Sequence, residues 1–368
     1  MIRISRRWFA LVPLAAVGCV MAAGHAADRP SGLAQGDVVS EESVRSAVAR
    51  GLERVRRAGQ NWQVNRTCFS CHHQTLPMLA EVEAARAGFP VDVAGLEAQA
   101  DFSREYHHER LDALNAGQHL PGGAATAGYG LWALRLARRP PDETTSAVVS
   151  YLLQIQGVVR LDAVAPADAD APAKPRVRLE GPWLPPCIRP PLASSRVGTT
   201  VLALLGTSHY ATESQRQAQR VAAEKAEAWL AREPLRDTEE RVWRLLGLHL
   251  LGGDPEARDA VRATLLADQR EDGGWAQTDA MASDAYATGQ VLFVLQRTGT
   301  RPDDPVARRA VAYLLRTQCD DGSWRVESRL KEKAQPYFEN GDPHGEHQFL
   351  SVAGTSWATA ALSRWLSP

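Results

Sequence analysis

A chain of 368 residues, 44% of them hydrophobic and with a formal net charge of -1, is long enough for a large core. Nothing in its charge suggests nucleic acid or an acidic membrane surface as a partner. Length alone allows two domains, but internal repeats argue for one.

Residues 1–26 read as an export signal. Arg3, Arg6 and Arg7 form a basic start, Phe9 to Gly24 is apolar, and Gly24-His25-Ala26 offers small residues at the cleavage-specifying positions. The apolar run is broken by Pro13 and is shorter than the roughly 20 residues a spanning helix needs. No other stretch reads as a transmembrane segment, so the mature chain is expected to be periplasmic or secreted. Ser5-Arg6-Arg7-Trp8-Phe9 resembles a twin-arginine signal, although paired arginines also arise by chance in such a start. Cys19 is a poor lipoprotein acceptor site.

Residues 27–42 are polar and Gly-containing, a flexible lead-in. From Ser43 to Ala58, Val44, Ala47, Val48, Leu52 and Val55 recur with the period of a surface helix. A second helix is predicted over 76–87, with Pro77 in its first turn and Thr75 as a candidate cap.

Between these helices stands Cys68-Phe69-Ser70-Cys71-His72-His73. Cys-x-x-Cys-His is the spacing of covalent haem c attachment: two thiols add to the vinyl groups of one porphyrin edge, and the next imidazole faces the iron. Positions i, i+3 and i+4 of a helical turn share a face, as one flat ligand requires. The alternatives are a disulfide, a redox dithiol or half of a zinc site. Of the remaining cysteines, Cys187 and Cys319 could pair with each other or stay as buried thiols.

Further on, a unit recurs. Leu265-Leu266-Ala267-Asp268-Gln269-Arg270-Glu271-Asp272-Gly273-Gly274-Trp275 returns about fifty residues later as Leu314-Leu315-Arg316-Thr317-Gln318-Cys319-Asp320-Asp321-Gly322-Ser323-Trp324. A third copy is split into Leu152 to Gln156 and Glu180 to Trp183 by an Ala/Pro-rich insertion at 160–179, read as an exposed loop. Short helices that are small and apolar on most sides, around 129–134, 199–204, 287–294 and 355–362, alternate with helices that carry charge on one face. This predicts a stack of helical hairpins, buried helix inside and polar helix outside. The turn Trp then packs across the hairpin end, and the Gln bonds the turn backbone.

Gln-x-x-Asp-Gly-x-Trp at this period resembles the QW-type repeat of squalene and hopene cyclases. The protein prenyltransferase β subunits share the architecture. The resemblance spans residues 43–366 and implies an all-α fold, an α/α toroid whose inner helices line a central cavity. For activity it implies an isoprenoid enzyme, yet the Asp-x-Asp-Asp acid motif of such cyclases is missing. Asp279 and Asp284 occupy a comparable stretch without the pattern. Bacterial proteins of this type also carry Cys-x-x-Cys-His-His early and Pro-His-Gly late, as here.

If the ring closes, the loop 339–348 entering the last inner helix (354–365) meets the cysteine segment at one rim. With haem c held by Cys68, Cys71 and His72, His344 or His347 becomes a candidate distal metal ligand, with Met78 and His73 as local alternatives. Without haem, Cys68, Cys71, His344 and His347 form a set that would suit zinc. The competing reading of the two late histidines is a surface loop stiffened by Pro343. His107, His108 and His119 sit in polar segments, for which a solvated face is the simpler reading. The expected function is an exported haem c protein working in electron transfer with a redox partner protein, or in oxidation of an apolar or isoprenoid small molecule. A cyclase-like or prenyltransferase-like enzyme with structural or zinc-binding cysteines, and a non-catalytic scaffold, are the alternatives.

Overall fold

The computed structural model describes residues 39–118, 120–159, 177–185, 189–329 and 339–367. The export signal, His119, most of the Ala/Pro-rich insertion and Cys187 lie outside them. In chain order the helices are α1 (Glu41–Asn65), α2 (Leu76–Arg86), α3 (Val93–His108), the short α4 (Leu111–Asn115), α5 (Gly123–Leu136), α6 (Glu143–Ile155) and α7 (Arg196–Tyr210). They continue as α8 (Arg216–Leu230), α9 (Thr238–Leu250), α10 (Pro255–Ala267), α11 (Ala285–Arg297), α12 (Pro305–Thr317) and α13 (Gln348–Leu366). One antiparallel two-stranded ribbon, β1 (Val158–Val159) with β2 (Val177–Arg178), flanks the insertion.

The helix starts follow from local chemistry. Ser40 caps α1 with a reciprocal Ser43 bond, and Asp142 does the same for α6 with Thr145. Asp254-Pro255 and Asp304-Pro305 open α10 and α12, each with the acid as cap and proline in the first turn.

Apart from α4, outer and inner helices alternate. The outer helix α8 buries only Ala222, Ala226 and Leu230, whereas α11 buries every residue from Ala285 to Leu295. The inner helices α2, α5, α7, α9, α11 and α13 each contact the next, and α13 contacts α2, so the ring is closed. This is an α/α toroid, as the resemblance to cyclases implies. The last inner helix starts six residues earlier than its apolar run suggests, because Gln348 and Leu350 to Gly354 are also buried.

The repeated Gln and Trp do the same work in each copy. Trp183, Trp275 and Trp324 are buried, and their indole N–H groups donate to the carbonyls of Leu152, Leu265 and Leu314 at 2.7, 2.7 and 2.9 Å. Their backbone N–H groups donate to Thr200, Thr288 and Thr355 on the following inner helices. Each Gln amide bonds its own turn and the next outer helix: Gln156 reaches Gly181 O and Ala222 O, Gln269 reaches Gly273 O and Val306 O, and Gln318 reaches Gly322 O and Ala47 O. The last pair joins the end of the chain to its beginning. Gly273 and Gly322 both have φ +86°, and a Cβ there would sit 2.5 Å from the Arg309 and Arg50 carbonyl oxygens.

Candidate functional site

The cysteine segment enters the ring through a single π-helical turn, Cys71–Thr75, that runs directly into α2. Thr75 is therefore helical (φ -60°, ψ -44°) and caps nothing; its hydroxyl donates to Tyr129 O on α5 instead. Ser70 is the cap, extended at φ -135° and ψ 125°, accepting from His73 N. Cys68 precedes that extended residue, so the two thiols do not share one helical turn. Cys68 is exposed and a free thiol, so no disulfide joins it to Cys71, which is half-buried. Trp62 holds the segment by donating from its indole to Cys68 O at 2.6 Å.

Ring closure brings the loop before α13 onto this turn, but through Asp342, which sequence reading passed over. His73 Nε2 donates to Asp342 Oδ2 at 2.8 Å, and both side chains are fully buried. Asn61 and Asn340 also donate to Asp342. These bonds outweigh burial and hold its carboxyl below the usual range. Phe349 stacks on His72 with ring centres 4.9 Å apart, and Trp62 meets the edge of the same ring pair. His344 instead pairs with Ser323 Oγ at 2.7 Å, and His347 Nδ1 accepts from Ser328 N at 3.2 Å. Cys68, Cys71, His344 and His347 are not gathered: among the described residues no three His, Cys, Asp or Glu side chains are grouped to hold a metal ion.

Burial pushes both rim imidazoles down. His72 lies well below its ordinary value, also through His73 and Arg189; His73 lies below despite its bond to Asp342. Both are neutral near pH 7. His73 Nε2 donates to Asp342, so its Nδ1 is an acceptor; the Nδ1 of His72 lies against it and against Ser70 Oγ, the latter at 2.9 Å.

A second group opens on the same rim. Glu239, at the start of α9, is 3% exposed. Trp243 Nε1–H donates to its Oε1 at 2.7 Å, Tyr286 O–H donates to its Oε2 at 2.8 Å, and Gln290 Nε2 donates to the Tyr286 oxygen. Burial outweighs these bonds and pushes the carboxyl up to about 7. Tyr129 and Tyr286 are raised well above their ordinary value by burial, then by Glu239 and by Cys71 nearby. Cysteine turn and buried acid therefore form one neighbourhood. Asp284, the cap of α11, is also raised, to about 6, by burial. Asp279 is exposed.

Below the acid, aromatic rings meet across the ring's centre. Trp132 on α5 packs against Trp243 on α9 at 5.8 Å and Trp357 on α13 at 6.3 Å, although neither helix is a neighbour of α5. Tyr129 O–H, Gln290 Oε1 and Trp357 Nε1 are buried there without hydrogen-bond partners. Asp237-Thr238-Glu239-Glu240 carries the acid spacing of Asp-x-Asp-Asp with glutamate at the last two places. A search confined to aspartate misses it.

No protein-family model and no curated protein sequence matches the chain. Among solved structures it is similar to the apo form of a type II terpene cyclase, MstE, from Scytonema, with a TM-score of 0.50 and 12% identity, covering 89% of this chain and 99% of that one. A variant of that cyclase in complex with merosterolic acid A, its product, gives a TM-score of 0.52 at 12% identity over 88% of this chain and 97% of that one. Another variant, in complex with its substrate geranylgeranyl dihydroxybenzoate, gives 0.51 at 11% identity over 88% and 97%. The likeness is one of fold: the chain has a terpene cyclase-like α/α-toroid fold.

Proposed function

We propose that the protein is a terpene cyclase-like enzyme that protonates an apolar, isoprenoid-type molecule, with Glu239 as the proton donor. One observation carries this reading: a carboxyl buried among aromatic side chains and raised to about 7. A general acid works best when its pKa lies near the working pH, since the proton is then both present and transferable. Delivered to a polyene carbon or an epoxide oxygen, that proton leaves positive charge on carbon. The faces of Tyr129, Trp132 and Trp243 beside Glu239 would stabilise it. The substrate class is supported by the Scytonema cyclase, whose bound substrate joins a geranylgeranyl chain to a dihydroxybenzoate. Geranylgeranyl-bearing polyenes and their epoxides, incubated with the protein in deuterated water, should give cyclised product carrying deuterium at the protonated atom. Glu239→Gln should lower the yield by at least about 100-fold. No product from the unaltered protein with either substrate set would sink the proposal.

A second reading is favoured by the setting of His72. Its Nδ1 is held by Ser70 Oγ at 2.9 Å and by His73 Nδ1, so Nε2 would be the nitrogen turned to a metal, as in a ligating imidazole whose other nitrogen is held. Cys68 and Cys71 would carry a covalent haem c and His72 would face its iron, which would supply electron transfer. The four donors proposed for zinc do not fit it as they stand. Expression with haem-ligation machinery, followed by a denaturing gel stained for haem, tests this reading. A colourless polypeptide would remove it.

A further inference from the structure

The mouth opposite Glu239, where the inner helices end, is rich in basic side chains. Each of the six inner helices places one basic residue in its last turn: Arg86, Arg135, His209, His249, Arg297 and Arg364. Of the outer helices, α1, α6, α8 and α10 place none there, whereas α3 places His107 and His108 and α12 places Arg316. A cation at a helix end complements the macrodipole, but that alone does not draw the cations of separate helices together.

Three of the six converge on one buried acid. Glu83 on α2, 2% exposed, is paired with Arg86, with Arg364 at 3.4 Å and with Arg297 at 4.0 Å. One carboxylate cannot neutralise three guanidinium groups. Arg297 is pushed down by burial and then by Arg364, an effect Glu83 only partly offsets, with Arg86 and Arg135 adding to it. His249 is likewise lowered by burial and then by Arg297, Arg258 and Arg364. Arg297 Nε and Arg364 Nε are buried with no hydrogen-bond partner.

We propose that this mouth binds a phosphate-type oxyanion. The surplus of positive charge calls for an anion, and planar arginine forks suit the bidentate geometry of phosphate oxygens. Glu83 holds the forks in place and competes with the ligand for them. The site is independent of the chemistry proposed at Glu239, because binding is read without turnover.

The test is calorimetric titration of the full chain at low ionic strength with inorganic phosphate and with pyrophosphate. Flotation with phosphatidylcholine vesicles, with and without phosphatidylglycerol, runs beside it. Saturable binding is expected, weakened at least 10-fold in Arg297→Gln/Arg364→Gln and tightened several-fold in Glu83→Gln. Arg86→Gln, at a more exposed side chain, should weaken binding several-fold in a chain whose circular dichroism is unchanged. Binding to the anionic vesicles alone would name a lipid headgroup as the source, and binding to the free anions a soluble ligand. No saturable binding to any of the probes, or the same affinity in every variant, would overturn the proposal.

Discussion

His73 and Asp342 meet at 2.8 Å across 269 residues of chain, both without solvent exposure. This bond ties the cysteine turn before α2 to the loop before α13, and so spans the joint at which the ring closes. Asp342→Ala leaves the imidazole N–H buried without an acceptor, a loss of about 1–3 kcal/mol. Chemical denaturation should register a lower midpoint by that amount, whereas Asp342→Asn, which can still accept, should cost less.

Gln318 makes the second fastening, bonding Gly322 O in its own turn and Ala47 O on α1. Gln318→Ala should destabilise by about 2 kcal/mol, since two buried carbonyls lose their donor. Gln269→Ala removes the same two kinds of bond within the middle of the ring. Equal shifts in melting temperature for the two variants would show that the joint is held like any other repeat.

Inner helices α11 and α13 are in close backbone approach at Gly289. A Cβ there would lie 2.6 Å from Ala358 N and 2.7 Å from the Trp357 carbonyl carbon, backbone atoms that cannot rotate away. Gly289→Ala should therefore lose about 1–3 kcal/mol through overpacking, against the gain an alanine usually brings to a helix. A melting temperature at or above that of the unaltered protein would contradict this packing.

Glu239 makes stability depend on pH in a definite direction. Its folded-state pKa, about 7, lies above the ordinary value of 4.5, so the folded chain binds the proton more tightly than the unfolded one. The contribution is complete below about 4.5, falls as pH rises to about 7, and is level above; its size is on the order of 3 kcal/mol. Asp284, raised to about 6, acts in the same direction. The difference in unfolding free energy between the unaltered protein and Glu239→Gln should thus change across pH 4.5–7. A constant difference would place the acid's pKa elsewhere.

How much of this was legible depends on whether a feature repeats. The hairpins, the buried Trp residues and the bonding Gln residues recur, so their spacing predicts inner and outer helices, while the closed ring is what the cyclase resemblance implies. Site residues occur once. Asp342 sits in the loop that closure brings to the cysteine turn and Phe349 in the first turn of α13, but His344 and His347 stand out as ligand types. Only the backbone path, with His344 at a positive φ of 77° and turned to Ser323, selects Asp342 instead. Glu239 was hidden for another reason. An acid in a charged run at a helix start reads as a favourable first-turn charge, and its burial against Trp243 and Tyr286 depends on α9 and α11 meeting.

The protonation state of Glu239 tests the account most directly. Difference infrared spectroscopy of the unaltered protein against Glu239→Gln, taken across pH 5–9, reads the carboxyl C=O stretch of this one side chain. The account predicts a protonated carboxyl band that is present at pH 5, loses half its intensity near pH 7 and is missing from the variant. A carboxylate signal already complete at pH 5 would contradict it.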